Sequence, residues 1–185
     1  MTNTQPRVVL PPIGKAVTVK ATPERAFARF TQEMASWWPL RSHSVGEANA
    51  ESVRMEGRVG GRIVERTRSG VEYVWGTIDA WEPPHRVAFS WHPGEDPERA
   101  THVEVRFSAV GAHTRVELTH RGFERLGPKG SRIRRAYPIG WAYVLGLYAD
   151  RRGPFIVAVK ALSSALMAVR AWRERRAGVA SHGRV

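Results

Sequence analysis

Two ionisable side chains occupy positions from which they could do acid–base chemistry. Glu65 follows Ile63 by two residues in a strand-like segment, and His120 shares strand parity with Val116 and Leu118. Both side chains are therefore predicted to face an apolar interior, where a carboxylate could act as general base and an imidazole as general acid. The alternative, which we favour, is that both are buried structural groups, with Glu65 held by an arginine and His120 held by backbone at the strand end.

Other kinds of reactive site are missing from the sequence. Cysteine is absent, which excludes disulfides, thiolate metal sites and a cysteine nucleophile. The chain contains neither a phosphate-binding glycine loop nor a nucleophile elbow. The other histidines fall in turns or on predicted wet faces, outside the carboxylate-rich setting of a metal site, and His43 is interpreted as a solvated loop residue. We therefore predict no metal and no cofactor.

The positions of Glu65 and His120 depend on a sheet whose strands alternate between apolar and polar residues. In the segment 73–94, two long strands fold back at Pro83-Pro84, where two fixed φ angles force a turn. Period-2 alternation of apolar residues predicts further strands on either side. The predicted strands are Gly14–Ala21, Glu51–Glu56, Gly61–Arg68, Val71–Glu82, Arg86–His92, His102–Phe107 and Thr114–His120. This pattern is typical of a meandering antiparallel sheet with one dry face.

Helical segments flank this sheet. Thr22-Pro23-Glu24 provides an N-cap, a proline and an acid, so a helix is predicted to start there and to end near Pro39. A second helix is predicted over Ser131–Asp150, with a kink or restart at Pro138. Phe155–Arg176 is predicted to be an extra amphipathic helix, too short and too charged to cross a membrane. It could pack on its own domain, form a homodimer or make peripheral contact with a membrane.

The net charge of +12 is concentrated in the C-terminal third. Residues 1–120 contain 15 Lys and Arg against 14 Asp and Glu, whereas residues 121–185 contain 14 against 3. We interpret the excess as a solvated basic tail. Nucleic-acid binding ranks last among the alternatives, because aromatic side chains are not interleaved with the arginines at 132, 134 and 135.

The N-terminus lacks the basic-then-apolar run of a signal peptide, so a cytoplasmic protein is expected.

A helix lying over a curved sheet encloses a volume in which a ligand could bind. Trp37 and Trp38 could form the rim of that volume or a plug that closes the core, and the sequence leaves both alternatives open. Aromatic residues on the strands and on the second helix could supply further apolar contacts or simply fill the core. The candidate ligand-binding residues are Trp37, Trp38, Glu65, Trp75, Phe89, Trp91, His120, Trp141 and Tyr148.

Several motifs occur in an order that resembles a known superfamily. They are WWP at 37–39, VGGR at 59–62, WGT at 75–77, WEPPHR at 81–86, FSW at 89–91, THRGF at 119–123 and GW at 140–141. From about Gly14 to Asp150 this order resembles the SRPBCC superfamily, and within it the bacterial branch similar to the C-terminal domain of the activator of heat shock protein 90 ATPase. The resemblance implies an α+β, START-like and Bet v 1-like helix-grip fold, with a curved antiparallel sheet of six to seven strands around a long C-terminal helix.

Three functions are compatible with that fold. The one that we favour is non-catalytic binding of a hydrophobic small molecule or lipid between the sheet and the C-terminal helix. The resemblance also implies a co-chaperone-like module with a chaperone as its partner. A third alternative is a polyketide cyclase-like or hydrolase-like enzyme that uses Glu65 and His120. The predicted domains are a flexible arm at 1–12, the SRPBCC domain at 13–152 and an appended basic amphipathic helix and tail at 153–185.

Overall fold

The computed structural model describes residues 9–150, 153–154, 156–159 and 161–162. Seven strands and three α-helices follow one another in this part of the chain. The strands are β1 (Ile13–Val19), β2 (Ala50–Met55), β3 (Arg62–Thr67), β4 (Glu72–Glu82), β5 (Arg86–Trp91), β6 (Thr101–Val110) and β7 (His113–Arg121). The helices are α1 (Pro23–Thr31), α2 (Met34–Trp37) and α3 (Gly130–Tyr148), with short 3₁₀ segments at Glu47–Asn49, Pro97–Arg99 and Phe123–Lys129.

The strands form one antiparallel sheet in the order β1-β7-β6-β5-β4-β3-β2. β2 to β7 follow one another as hairpins, and β1 joins the far edge by pairing with β7, where Ile13 lies opposite His120. The register shifts within the β2–β3, β3–β4 and β4–β5 pairs, and such irregularities bend a sheet. The curled sheet and the long helix α3 confirm the predicted α+β helix-grip fold.

The inner face of the sheet carries the core. On β7, the alternate residues Val116, Leu118 and His120 are at most 1% exposed, as the strand pattern predicted. At the centre of the sheet, β4 passes so close to β5 that a Cβ on Gly76 would lie 1.8 Å from the carbonyl oxygen of Ser90. Only glycine permits that approach, so the bend of β4 depends on this residue.

Helix α1 covers the inner face opposite β6. Thr22 caps it by accepting a hydrogen bond from the Arg25 N–H at 3.4 Å, and Pro23 occupies the first turn, which confirms the predicted start. Phe27 and Phe30 pack edge-to-face on Phe107, with ring centroids 5.3 and 5.7 Å apart. The apolar stripe of α1 therefore closes this end of the core.

Helix α3 packs across the open side of the sheet. It begins at Gly130, directly after a 3₁₀ segment in which Gly127 adopts a φ of 63°. It runs as one helix to Tyr148 with Pro138 inside it, so the restart predicted at the proline does not occur. An interior proline costs about 3 kcal/mol, which burial of side chains such as Trp141 and Leu145 offsets.

Part of the predicted C-terminal helix belongs to the described chain. Residues 154, 156–159 and 161–162 are helical. Ile156 is 8% exposed and packs where a Cβ on Gly146 would lie, 2.3 Å from its Cδ1. The start of this segment therefore packs on its own domain. Its predicted continuation to Arg176 and residues 1–8 of the predicted arm lie outside the described residues. Among the helices that are described, none has the length and apolarity needed to cross a bilayer.

Candidate functional site

A cavity of about 380 Å³ lies between α3, the end of β5 and the loop that precedes β2. Most of its lining is apolar or aromatic, and the polar groups come mainly from the loop. The lining residues are Trp38, His43, Ser44, Val45, Glu47, Trp91, Pro93, Gly94, Tyr137, Gly140, Trp141 and Val144. An apolar concavity with a few polar groups is the usual form of a small-molecule site.

Three tryptophans form the wall of the cavity. Trp38 lies after α2, Trp91 ends β5 and Trp141 lies on α3, and each ring contacts the other two with centroids 5.7 to 6.0 Å apart. Their planes are inclined by 45° to 80°, which is the tilted or edge-on geometry that aromatic rings prefer. Because the three rings come from three different elements, the wall exists only in the folded chain.

The Glu65 carboxylate holds the loop that forms the polar side of the cavity. It is fully buried and accepts backbone hydrogen bonds from Val45 at 2.8 Å and Gly46 at 2.7 Å. Trp75 donates a third through Nε1 at 2.8 Å. Three N–H donors, rather than the predicted arginine, thus compensate the buried charge. The carboxylate ties the loop to β3.

Two further contacts restrict the same loop. Trp38 donates from Nε1 to the carbonyl oxygen of His43 at 2.6 Å. A Cβ on Gly46 would lie 2.6 Å from Glu65 Oε1 and 2.7 Å from Thr67 Cγ2, so only glycine permits the loop to approach β3 this closely. These contacts fix the backbone at His43 and at Gly46, and they therefore fix the position from which the His43 side chain extends.

The His43 ring lines the cavity with one nitrogen engaged. Its Nδ1 lies 2.9 Å from Ser42 Oγ, and the ring packs against Tyr143 with centroids 5.4 Å apart. Its Nε2 faces Gly140, where a Cβ would be 4.0 Å away. Burial lowers the pKa of His43 below its ordinary value, so the ring is neutral at physiological pH.

His120 has both ring nitrogens engaged. Trp141 donates from Nε1 to His120 Nδ1 at 3.0 Å, so the proton of the neutral ring must be on Nε2. That nitrogen lies 2.7 Å from Thr101 Oγ1, whose hydroxyl donates to the carbonyl oxygen of Trp91 at 2.9 Å. Burial lowers the pKa of His120 to about 3. The imidazole is thus a neutral link between α3 and the sheet, bonded to side chains rather than to the predicted backbone.

The structure divides the sequence-predicted site residues into three groups. Trp38, Trp91 and Trp141 line the cavity. Behind them lie Glu65, Trp75, Phe89 and His120, each at most 1% exposed. Trp37 and Tyr148 pack instead against Phe30 of α1. Of the two alternatives for the tryptophan pair, Trp38 is therefore a wall residue and Trp37 a core plug.

Glu65 and His120 do not share a hydrogen-bond network. Glu65 bonds to the loop and Trp75, whereas His120 bonds to Thr101 and Trp141. Neither residue lines the cavity. In this arrangement both imidazole nitrogens of His120 already have hydrogen-bond partners.

Sequence reasoning missed most of the polar lining. His43, Ser44, Glu47 and Tyr137 line the cavity, and no local pattern marks the three loop residues, because the path of the loop depends on Glu65. One signal was available: an inward-facing carboxylate requires N–H donors from another part of the chain. Within the described ranges, no group of three or more His, Asp or Glu side chains is placed to hold a metal ion.

A comparison with protein families places this architecture among known ones. A model of the family described as "Activator of Hsp90 ATPase homolog 1-like protein" matches residues 20–144. That range begins directly after β1, ends four residues before the end of α3 and includes every residue that lines the cavity. No curated protein matches the chain.

Solved structures share the fold. The anthrahydroquino-γ-pyrone synthase Txn09, complexed with SUM, is 34% identical over 80% of this chain and 99% of that chain, with a TM-score of 0.54. Protein MLL2253 from Mesorhizobium loti is 15% identical over 77% and 99% of the two chains, with a TM-score of 0.57. The Aha1 dimer from Colwellia psychrerythraea is 17% identical over 78% and 100%, with a TM-score of 0.53. The similarity to MLL2253 and to the Aha1 dimer shows a shared fold alone.

The anchoring role of Glu65 predicts a stability loss in Glu65→Gln. A glutamine has one acceptor oxygen and would turn its amide N–H groups towards at least one of the three donors. Leaving a buried N–H unpaired costs about 1–3 kcal/mol, so urea unfolding should show a reduction of that size in the free energy of unfolding.

The matched control is Glu51→Gln on β2, where the carboxylate is exposed and lies 3.9 Å from Arg66. Its free energy of unfolding should change by less than about 1 kcal/mol. Equal stabilities of the Glu65 and Glu51 variants would show that the buried carboxylate does not anchor the loop.

The buried neutral imidazole of His120 predicts a pH dependence of stability. Its pKa is about 3 in the folded chain and about 6.5 when unfolded, so below the unfolded value the unfolded state binds more protons. Stability should therefore fall as pH decreases below about 6.5 and level off near the folded value, with a slope of about 1.4 kcal/mol per pH unit from this group.

In His120→Gln, the amide can still accept from Trp141 and donate to Thr101, but it does not titrate. The difference in free energy of unfolding between wild type and variant should therefore shrink by about 1.4 kcal/mol per pH unit on acidification. Urea unfolding at several pH values between about 7.5 and 5 measures it. A difference that is independent of pH would mean that folded His120 protonates normally.

Proposed function

This chain belongs to the Activator of Hsp90 ATPase homolog 1-like family, and we propose that it binds a planar, largely apolar small molecule in the cavity between α3 and the sheet. The observation that carries the proposal is the wall of three mutually contacting tryptophans around about 380 Å³ of space. Aromatic walls of this kind favour flat ligands that stack or pack edge-on against them.

The size and polarity of the cavity restrict the ligand further. A volume of about 380 Å³ lies in the lower part of the range for sites of drug-sized molecules. Three of the four polar lining residues, His43, Ser44 and Glu47, lie on the loop, and the fourth, Tyr137, lies on α3. The ligand is therefore expected to have an apolar ring system and a polar edge that faces the loop, rather than a long acyl chain.

A second candidate function is a cyclase-like reaction on such a molecule. It is favoured by the 34% identity to the anthrahydroquino-γ-pyrone synthase Txn09 over 99% of that chain. A synthase must bind its substrate before it acts on it, so the two proposed functions would use one cavity. The two functions are distinguished by the compound recovered after incubation with the protein. A binding protein releases its ligand unchanged, whereas a cyclase releases a product with a new ring.

A chaperone partner is the other class that the family suggests. The similar Aha1 structure is a dimer, but its 17% identity supports a shared fold rather than a shared partner. The predicted dimer contact through Phe155–Arg176 lies mostly outside the described residues. The aromatic cavity, by contrast, is built entirely from described side chains, and for this reason ligand binding is the function proposed.

Filling the cavity from α3 should abolish binding. Gly140 lines the cavity beside His43, and leucine in Gly140→Leu would extend into the space while improving helix propensity by roughly 0.5–1 kcal/mol. The affinity for alizarin, a planar dihydroxyanthraquinone, should fall at least about tenfold. Quenching of tryptophan fluorescence reports binding, because three tryptophans form the wall.

The matched control is Ala136→Leu, which adds the same side chain to an exposed position of the same helix. This variant should bind alizarin as the wild type does and keep its thermal stability. Wild-type affinity in Gly140→Leu, or weakened binding in both variants, would place the ligand outside this cavity.

A further inference from the structure

We propose that His43 is the proton acceptor of the cavity, and that the ligand is a planar aromatic molecule with an acidic phenolic hydroxyl facing the loop. The inference rests on the proposed function, because it concerns the same cavity. It adds the chemical class of the ligand and a catalytic residue for proton transfer. It also differs from the acid–base pair of Glu65 and His120, both of which lie behind the cavity wall.

The hydrogen bonds of His43 leave Nε2 for the ligand. Nδ1 lies 2.9 Å from Ser42 Oγ, and Ser42 Oγ also lies 3.4 Å from the carbonyl oxygen of Pro39. A carbonyl only accepts, so a Ser42 hydroxyl that donates to Pro39 must accept a hydrogen bond from the Nδ1–H group, which keeps its proton. In this tautomer the lone pair is on Nε2, the nitrogen beside Gly140.

The space next to Nε2 is open because α3 has glycine there. A Cβ at Gly140 would be 4.0 Å from Nε2, so a side chain that extends beyond Cβ would compete with a ligand oxygen for the space beside this nitrogen. The helix around Gly140 supplies Tyr137 and Trp141 to the same lining. A flat ring lying against Trp141 therefore has an edge within reach of the imidazole.

The electrostatic surroundings suit a base that is neutral before the ligand ionises. Burial lowers the pKa of His43, which keeps Nε2 unprotonated at physiological pH. The titratable groups that face this part of the cavity are Glu47 from the loop and Tyr137 and Tyr143 from α3. The Tyr143 ring lies against the imidazole, so an imidazolium formed there would contact an aromatic face.

The reaction is a proton transfer that needs no oxidant, metal or second substrate. The phenolic O–H bond breaks, an Nε2–H bond forms, and the products are a phenolate and an imidazolium. An ordinary phenol has a pKa of about 10, well above that of an imidazolium, so the hydroxyl must be conjugated to a carbonyl or a similar acceptor. Polycyclic hydroxyquinones have this property, and their planar rings fit the tryptophan wall.

Alizarin tests the proposal because its visible spectrum distinguishes phenol from phenolate. The bound dye is titrated between about pH 5 and 9 on the wild type, His43→Gln, His43→Phe and His113→Gln. The Phe variant keeps a ring against Tyr143 but has no nitrogen. His113 lies at the turn between β6 and β7, away from the cavity lining, and is the matched control. Circular dichroism checks that each variant folds.

The phenolate band of the bound dye should appear at least about one pH unit lower on the wild type and His113→Gln than on either His43 variant. Affinity for the neutral dye should stay within about threefold of the wild-type value in His113→Gln, a change of under 1 kcal/mol. Bound dye that ionises at the same pH on all four proteins overturns the role of His43 and leaves the proposed function standing. Alizarin that fails to bind the wild type overturns both.

Discussion

The structure depends on one buried charge. Taking a carboxylate out of water costs several kcal/mol unless hydrogen bonds replace the lost solvent. Glu65 meets this requirement with three N–H donors, two of them from the loop before β2. The loop must therefore lie against β3, and the polar side of the cavity follows from that position. Electrostatic compensation in the core, together with the hydrogen bond from Trp38 to the carbonyl oxygen of His43, determines where His43 lies.

The two histidines near the cavity show how hydrogen bonding separates a structural imidazole from a reactive one. In His120, Nδ1 accepts a hydrogen bond from Trp141, Nε2 donates one to Thr101, and the pKa is lowered to about 3. His43 has a partner on Nδ1 alone among the bonds that the structure describes, and its Nε2 faces a glycine. Burial lowers the pKa of both rings. What differs is access to a lone pair, so a perturbed pKa by itself does not identify a base.

Sequence patterns predicted the structural features that depend on residues close together in the chain. Alternation identified the strands and the inward direction of Glu65 and His120, and Thr22-Pro23 identified the start of α1. The partners of these groups were not predictable, because Glu65 bonds to a loop whose course is fixed only after folding. Of the kink or restart predicted at Pro138, the restart does not occur, because the buried side chains of α3 outweigh the cost of an interior proline. The sequence alone indicates a solvated His43, because the Tyr143 ring that packs against it is remote in sequence.

The aromatic walls and the polar loop of the cavity have different roles, and this difference affects how binding and catalysis are related in this fold. Aromatic walls contact a substrate and its transition state alike, so they strengthen binding without lowering the barrier between the two. Here the walls come from β5, α3 and the end of α2, whereas His43, Ser44 and Glu47 come from one loop. Only groups that meet a developing charge can favour the transition state. In the proposed site, changes confined to this loop would therefore alter three of the four polar groups that a ligand meets, while the sheet and α3 stay the same.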